Sequence, residues 1–153
     1  MRERQSLAGR LRLELRDAAG RVVHVREIDN HIVAGGRNLV ARLFAGALTG
    51  LPTIKIQVGE GGKEVTDADN ALLSKADEAI VRPENIRVED AQVTLSAVLA
   101  EREKTQALVE AGVAVQIAGE AEVLYNRVVF PVLNKTPNMQ LTLVWKIDFG
   151  RSE

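Results

Sequence analysis

The 153-residue sequence has no cysteine, only two histidines and few aromatic residues, which make up 3% of the chain. The lack of cysteine excludes disulfides, thiolate metal sites and cysteine nucleophiles. The scarcity of aromatic residues argues against a stacking platform for single-stranded nucleic acid. Two histidines, His24 and His31, are also too few for a zinc site, which needs three or four ligands at motif spacing. The sequence therefore predicts no metal and no cofactor.

An excess of one charge and a long apolar run are missing as well. Lys and Arg number 20 against 21 Asp and Glu, and the two signs are interleaved. This balance argues against a nucleic-acid-binding stripe. The longest apolar run, LVARLFAGAL, is interrupted by Arg42 and has about half the length needed to cross a bilayer. We therefore expect no nucleic-acid partner, no membrane span and, because the first residues are charged, no secretory signal.

Most of the chain alternates between apolar and polar residues, the pattern typical of half-buried strands. Two alternating runs around DAAG predict a β-hairpin near the start. The segment from Tyr125 to Phe149 predicts a second hairpin with a Thr-Pro-Asn turn. Six apolar residues of its last strand share one face, which predicts a central core strand: Met139, Leu141, Leu143, Trp145, Ile147 and Phe149.

Only one segment has a clear helical period, and it predicts a helix over about 37–48. Many strands and one main helix predict a mainly β fold, either an antiparallel β-sandwich or a partly closed barrel with the helix packed on it. We expect residues 10–150 to form a single domain. Residues 1–9 carry no core-forming pattern and predict an N-terminal arm that becomes ordered on assembly.

Two segments look at first like ligand-binding loops. VGEGGKEVT lacks the first glycine of a phosphate-binding loop and places Glu64 where Ser or Thr is required. DADNALLSKADE has Leu72 at the position where a calcium loop needs glycine. No nucleophile, base and acid can be assembled into a catalytic set either, so the sequence predicts a non-enzyme.

A linear pattern of residues runs through the chain in a fixed order. It contains an Asn before a Gly-led helix, a VG-x-G loop followed by Thr-x-x-Asp-x-x-Leu, an EAG element, an R-V-x-F-P segment ending in Lys-Thr, and a closing strand with Trp. Here these are Asn30, Gly35, Gly36, Gly59, Gly61, Thr66, Asp69, Leu72, residues 110–112, 127–136 and 141–149. The pattern resembles small tail-associated proteins of tailed bacteriophages and of phage-tail-like contractile injection systems.

The resemblance implies a structural subunit that works by protein–protein assembly: a baseplate, fibre-adaptor or cap component. It would be made in the bacterial cytoplasm and incorporated into a virion or tail-like particle. Its partners would be sheath, tube, baseplate or fibre proteins and further copies of itself, with strand addition at sheet edges as one mode of contact. The segment after EAG departs from the family pattern, and no shaft or receptor-binding tip follows the last strand. Both departures favour a short adaptor or decoration subunit.

The residues expected to contact partners lie in two groups. One group contains the arginines of the first segment, and the other is a glycine-rich loop: Arg2, Arg4 and Arg10, and Gly59, Glu60, Gly61, Gly62 and Lys63. A carbohydrate-binding module that uses aromatic residues near Trp145 or polar loops is the alternative function. A hydrolase has the least support.

Overall fold

The structure, a computed structural model, describes the backbone of residues 5–152 and the side chains of residues 9–149. Within this range the chain forms one α-helix, α1 (Ala34–Phe44), and ten strands. The strands are β1 (Gln5–Arg16), β2 (Val22–Asp29), β3 (His31–Ile32), β4 (Pro52–Gly59), β5 (Lys75–Ile80), β6 (Ile86–Glu89), β7 (Gln92–Leu99), β8 (Gln106–Ile117), β9 (Val123–Lys135) and β10 (Gln140–Ser152).

The strands form two antiparallel five-stranded sheets. The first sheet has the order β2-β1-β10-β7-β6 and the second the order β3-β9-β8-β4-β5. Apolar side chains of both sheets meet in one core, which includes Leu13, Ile56 and Leu143. The fold is therefore mainly β and sandwich-like, as the alternation predicts, and it is not the partly closed barrel.

The last strand has the central place that its pattern predicts. β10 lies between β1 and β7, and Leu141, Leu143 and Trp145 have no exposed surface. Phe149, at the end of the same face, is 36% exposed. The indole Nε1 of Trp145 donates a hydrogen bond to the Asn30 side-chain oxygen at 3.1 Å, which satisfies its one polar group.

The segment from Tyr125 to Phe149 is not a hairpin, although its pattern predicts one. β9 pairs with β8 in the second sheet, whereas β10 pairs with β1 and β7 in the first. The turn around Thr136 therefore carries the chain from one sheet to the other. Alternation alone cannot separate the two cases, because both place one apolar face on the core. The predicted hairpin of β1 and β2 is confirmed.

The helix begins and ends earlier than the predicted range 37–48. It starts at Ala34. Gly35 and Gly36, which in the sequence look like the boundary before the helix, therefore lie inside its first turn. A β-carbon on Gly36 would collide with the backbone of Tyr125, so glycine lets α1 lie directly on β9. Gly46, at φ +71°, follows the C-cap residue Ala45 and turns the chain out of the helix.

The boundary between the predicted arm and the domain also moves. β1 begins at Gln5, and Gln5 pairs with Ser152, so residues 5–9 belong to the first sheet instead of to a separate arm. Their place in the sheet comes from backbone pairing with the end of β10, which the absence of a core-forming pattern in residues 5–9 does not reveal. Met1–Arg4, with the predicted contact residues Arg2 and Arg4, lie outside the described residues. Within the described range, no helix is long and apolar enough to cross a membrane.

Replacing Trp145 by Ala should lower the free energy of unfolding by about 3–5 kcal/mol, because it removes the largest fully buried side chain of the core. Urea-induced unfolding followed by circular dichroism measures this loss. Val98→Ala in the neighbouring strand is the matched control, since Val98 is 53% exposed, and it should change stability by less than about 0.5 kcal/mol. Equal effects of the two substitutions would contradict the central place of β10.

Candidate functional site: a loop anchored by a buried arginine

The loop of residues 60–74, between β4 and β5, lies on the outer face of the second sheet. Leu72 is buried there against Val33 and Leu124, and Val65 packs on the edge of this small cluster. Loops longer than about 12–15 residues without secondary structure are uncommon in compact domains, and they often carry function. The interactions that hold this one in place therefore define the candidate site.

Arg127 of β9 lies beneath the loop, and its side chain has no exposed surface. Its Nε donates to Glu110 Oε2 at 2.8 Å and its Nη1 to Asp69 Oδ2 at 3.1 Å. Its Nη2 donates to the carbonyl oxygens of Gly61 and Lys63 at 3.0 and 2.9 Å. One guanidinium thus binds a strand carboxylate, a loop carboxylate and two loop carbonyls.

Glu110 of β8 holds the same loop by accepting hydrogen bonds. Its carboxylate has no exposed surface and accepts from the backbone N–H groups of Gly61, Leu73 and Ser74 at 3.2, 3.2 and 2.8 Å. With Arg127 as the fourth donor, both oxygens are satisfied. A buried charge pair is stable only when its remaining hydrogen-bonding groups are also paired, and in this pair both oxygens of Glu110 and four of the five N–H groups of Arg127 are paired.

Asp69 joins the loop to the same arginine. Its carboxylate accepts from the backbone N–H of Thr66 at 3.0 Å and from the Thr66 hydroxyl at 2.8 Å, which closes a tight turn. Burial raises the pKa of Asp69, but the hydrogen bonds from Thr66 and Arg127 outweigh it and hold this pKa below its usual value. Asp69 is therefore a carboxylate at neutral pH, as its contact with Arg127 requires.

The predicted contact loop 59–63 divides into anchoring and exposed residues. Gly59 is buried and Gly61 half-buried, and a β-carbon on Gly61 would come within 2.9 Å of Glu110 Oε1. These two glycines therefore serve the packing of the loop. Glu60 is exposed, but one of its oxygens accepts from the backbone N–H of Ala107 at 3.0 Å. Gly62 and Lys63 are also exposed, and the side chain of Lys63 makes no hydrogen bond within the described residues.

Arg10, the remaining predicted contact residue, is distant from this loop in the sequence. It lines a second feature, a groove on the outside of the first sheet, which we call the outer groove. The groove has a volume of about 440 Å³ and is lined by Gly9, Arg10, Arg12, Glu27, Asp29, Gln92, Val144, Lys146 and Asp148. Arg10 is paired with Asp29 at 3.2 Å and lies 3.7 Å from Glu27. Lys146, directly opposite Arg10 on β10, makes no ion pair within the described residues.

The described side chains include no group of three His, Asp or Glu residues that could hold a metal ion. His24 and His31 lie exposed on β2 and β3. Both carboxylate oxygens of the buried Glu110 accept hydrogen bonds from the chain itself, and four of the five N–H groups of Arg127 donate to it. The polar groups of Glu110 and Arg127 therefore bind the backbone of the loop and hold it on the sheet.

The polar pattern found in the sequence converges on these anchors. Its glycines 59 and 61, its Thr66–Asp69 turn, its Glu110 and its Arg127 all meet beneath the loop. Its Asn30 supports Trp145, and its Lys135 is buried with its Nζ donating to the Ala100 carbonyl at 2.7 Å. Burial lowers the pKa of Lys135. The polar residues of the pattern thus make contacts within the chain, most of them at the loop anchors and two elsewhere.

The ion pair of Glu110 and Arg127 is not predicted from the sequence. A signal for it does exist, because each charge interrupts a run of apolar residues, in ALVEAGVAV and in YNRVVF. Charges in buried strands need partners, and neighbouring strands with opposite charges supply them. The pairing itself depends on the register of β8 and β9, which shifts between Leu108 and Glu110.

No family model, no curated protein and no solved structure matches this chain.

Glu110→Ala should lower the free energy of unfolding by about 3–5 kcal/mol, because it leaves the buried Arg127 without its carboxylate and frees three loop N–H groups. Lys75→Met is the matched control: it breaks the exposed pair with Glu78 and should cost less than about 1 kcal/mol. Chemical denaturation of both variants measures the difference. A loss below 1 kcal/mol for Glu110→Ala would contradict the anchoring role.

Proposed function

We propose that this chain is a non-enzymatic structural subunit of a phage tail or contractile injection particle, and that the 60–74 loop is its contact with a neighbouring particle protein. The partner classes are sheath, tube, baseplate or fibre proteins. The proposal rests on the sequence resemblance for the kind of particle. One structural observation supports the mode of action, namely that Arg127 and Glu110 fix a long exposed loop in one conformation.

A fixed loop suits assembly because ordering a contact segment costs free energy at the moment of binding. Residues that are already held lose less conformational freedom when a partner docks. The loop carries an exposed surface of mixed chemistry, with the charges of Lys63 and Glu64 next to each other and the side chain of Leu73 49% exposed. An apolar contact surrounded by charges is the usual composition of a protein interface.

Two of the four sheet edges are poorly suited to strand addition, which favours the loop as the contact. β2, at one edge of the first sheet, carries one extra residue where its register with β1 shifts between Leu15 and Arg16. Such bulges disturb pairing with a further strand. In the second sheet, β9 extends beyond the two-residue edge strand β3, and in this part Pro131 offers no N–H and Arg26 donates to the carbonyls of Pro131 and Val132. These two edges are therefore poor templates for a partner strand.

Lys63→Glu should remove the chain from purified particles, because it reverses the charge of the exposed loop tip and leaves the Lys63 carbonyl bound to Arg127. The tagged chain is produced in the bacterium that carries its gene, and tail-like particles are separated on a density gradient and probed for the tag. We expect the original chain in the particle fraction and a loss of at least tenfold for the variant.

Lys104→Glu, an equally simple charge reversal at an exposed residue outside the loop, is the control and should leave the incorporation unchanged. Thermal unfolding of each purified chain checks that both variants are folded. Absence of the original chain from every particle fraction would overturn the proposed function. Incorporation of Lys63→Glu at the original level would overturn the role of the loop alone.

A carbohydrate-binding module remains the second candidate, and the outer groove is the observation that favours it. Its volume is within the usual range of ligand sites, and Gln92, Lys146 and Asp148 offer polar groups to hydroxyls. Trp145 has no part in it, because its side chain is fully buried. Glycan-array binding that is lost in Gln92→Ala would favour this candidate over assembly.

A further inference from the structure

Of the four edge strands of the sandwich, three carry features that oppose the addition of another strand. The bulge of β2 and the proline of β9 beside β3 are described above. On β5, the charged side chains of Lys75 and Glu78 lie along the edge, and the Glu78 N–H donates to the Asp77 carboxylate at 2.9 Å. Charges and N–H groups that are already bound both disfavour pairing with a further strand. These three edges are therefore poor sites for another chain.

The fourth edge strand, β6, lacks these features. It pairs with β7 in a regular register, contains no proline, and has no further strand on its other side within the described residues. Glu89 and Gln92 close a two-residue turn and therefore form a hydrogen-bonded pair. Because such pairs alternate along an antiparallel ladder, Val88 directs its N–H and C=O away from β7. The backbone of Val88 is thus free to bind one more strand.

The side chains of β6 place an apolar residue between two opposite charges. Val88 is 73% exposed. Arg87 and Glu89 lie exposed on the face that carries the outer groove, opposite Thr94 and Gln92 of β7. Within the described residues, neither of these two charges makes an ion pair or a side-chain hydrogen bond. Arg87 and Glu89 are therefore available to a partner, unlike the paired arginines of β1.

These charges are complementary to a second copy of the same strand. In a two-fold antiparallel pair centred on Val88, Arg87 lies opposite Glu89 of the copy, and Glu89 lies opposite its Arg87. The two Val88 residues then exchange their N–H···O=C bonds and pack their side chains together. The next registers on either side place Arg87 on Arg87 or Glu89 on Glu89, and like charges directly opposite each other are destabilising. The sequence of β6 therefore favours one antiparallel register with its own copy.

We propose that two copies of this chain pair through β6, antiparallel about a two-fold axis at Val88, so that their first sheets join into one continuous sheet. The formal net charge of −1 opposes such self-association only weakly. A four-residue strand offers few hydrogen bonds and little area, so the dimer is weak, with a dissociation constant on the order of 100 μM. This inference does not depend on the proposed function, because the 60–74 loop lies on the other sheet.

Because the chain has no cysteine, a single introduced cysteine reports the contact directly. Val88→Cys places the thiol beside the two-fold axis, where it meets its own copy, and should give a covalent dimer with a short bis-maleimide reagent at a few hundred micromolar protein. Ile80→Cys is the matched control, because Ile80 is 62% exposed on the protected edge strand β5, and it should stay monomeric. Equal crosslinking of the two variants, or none in Val88→Cys, would overturn the proposal.

Sedimentation equilibrium tests the charge pairing without a crosslinker. Arg87→Glu and Glu89→Arg should each raise the dissociation constant at least tenfold, because each places like charges opposite each other. An equal mixture of the two variants should dimerise again, since every charge of one then faces an opposite charge of the other. Lys104→Glu, an exposed charge reversal outside β6, is the control and should not change the constant.

Circular dichroism of each variant checks that it is folded. An original chain that stays monomeric at millimolar concentration would overturn the dimer. A mixture of Arg87→Glu and Glu89→Arg that stays monomeric, beside an original chain that dimerises, would overturn the pairing through β6.

The dimer and the assembly function fail separately. A chain that is monomeric yet present in particles would overturn the dimer and leave the assembly function standing. A chain that dimerises through β6 but enters no particle would do the reverse. A different protein that binds the original chain and not Arg87→Glu, without any dimer, would overturn the second-copy assignment.

Discussion

The ion pair of Arg127 and Glu110 is the constraint on which the outer face of the second sheet depends. Neither side chain is exposed, and together they hold carbonyls or N–H groups at Gly61, Lys63, Leu73 and Ser74. Without the loop these two charges would lie on an open sheet face in water. Without the charges the loop would lose the partners of its buried backbone groups, so each explains the position of the other.

This arrangement also explains why β8 is buried on both faces. Ala111 and Val113 face the core between the sheets, whereas Glu110 and Gly112 face the loop and its small apolar cluster around Leu72. A strand covered on both sides has no clean alternation. The outer face of the first sheet thus carries a polar groove, and the outer face of the second is the base of an anchored loop.

Sequence patterns predict the parts of this fold that depend on local periodicity. The alternation of β10 predicts its buried face, and the helical period predicts α1 to within a few residues. They do not predict which sheet each strand joins, because the pattern before and after Thr136 is the same for a hairpin and for a crossing between sheets. Nor do they predict the pairing of Glu110 with Arg127, which requires the register of two strands and the return of a distant loop. The exposure of Phe44 at the end of α1 is not predicted either, because a helical apolar pattern indicates burial whereas this side chain is 87% exposed.

Hydrogen exchange at the loop amides tests the anchoring most directly. The N–H groups of Gly61, Leu73 and Ser74 donate to Glu110, so they should exchange as slowly as amides of the central strand β10, through opening that approaches global unfolding. The amide of Lys104, in an exposed connection, gives the fast reference. If the three loop amides exchanged as fast as that of Lys104, the loop would not be held by the buried pair, and the account would be contradicted.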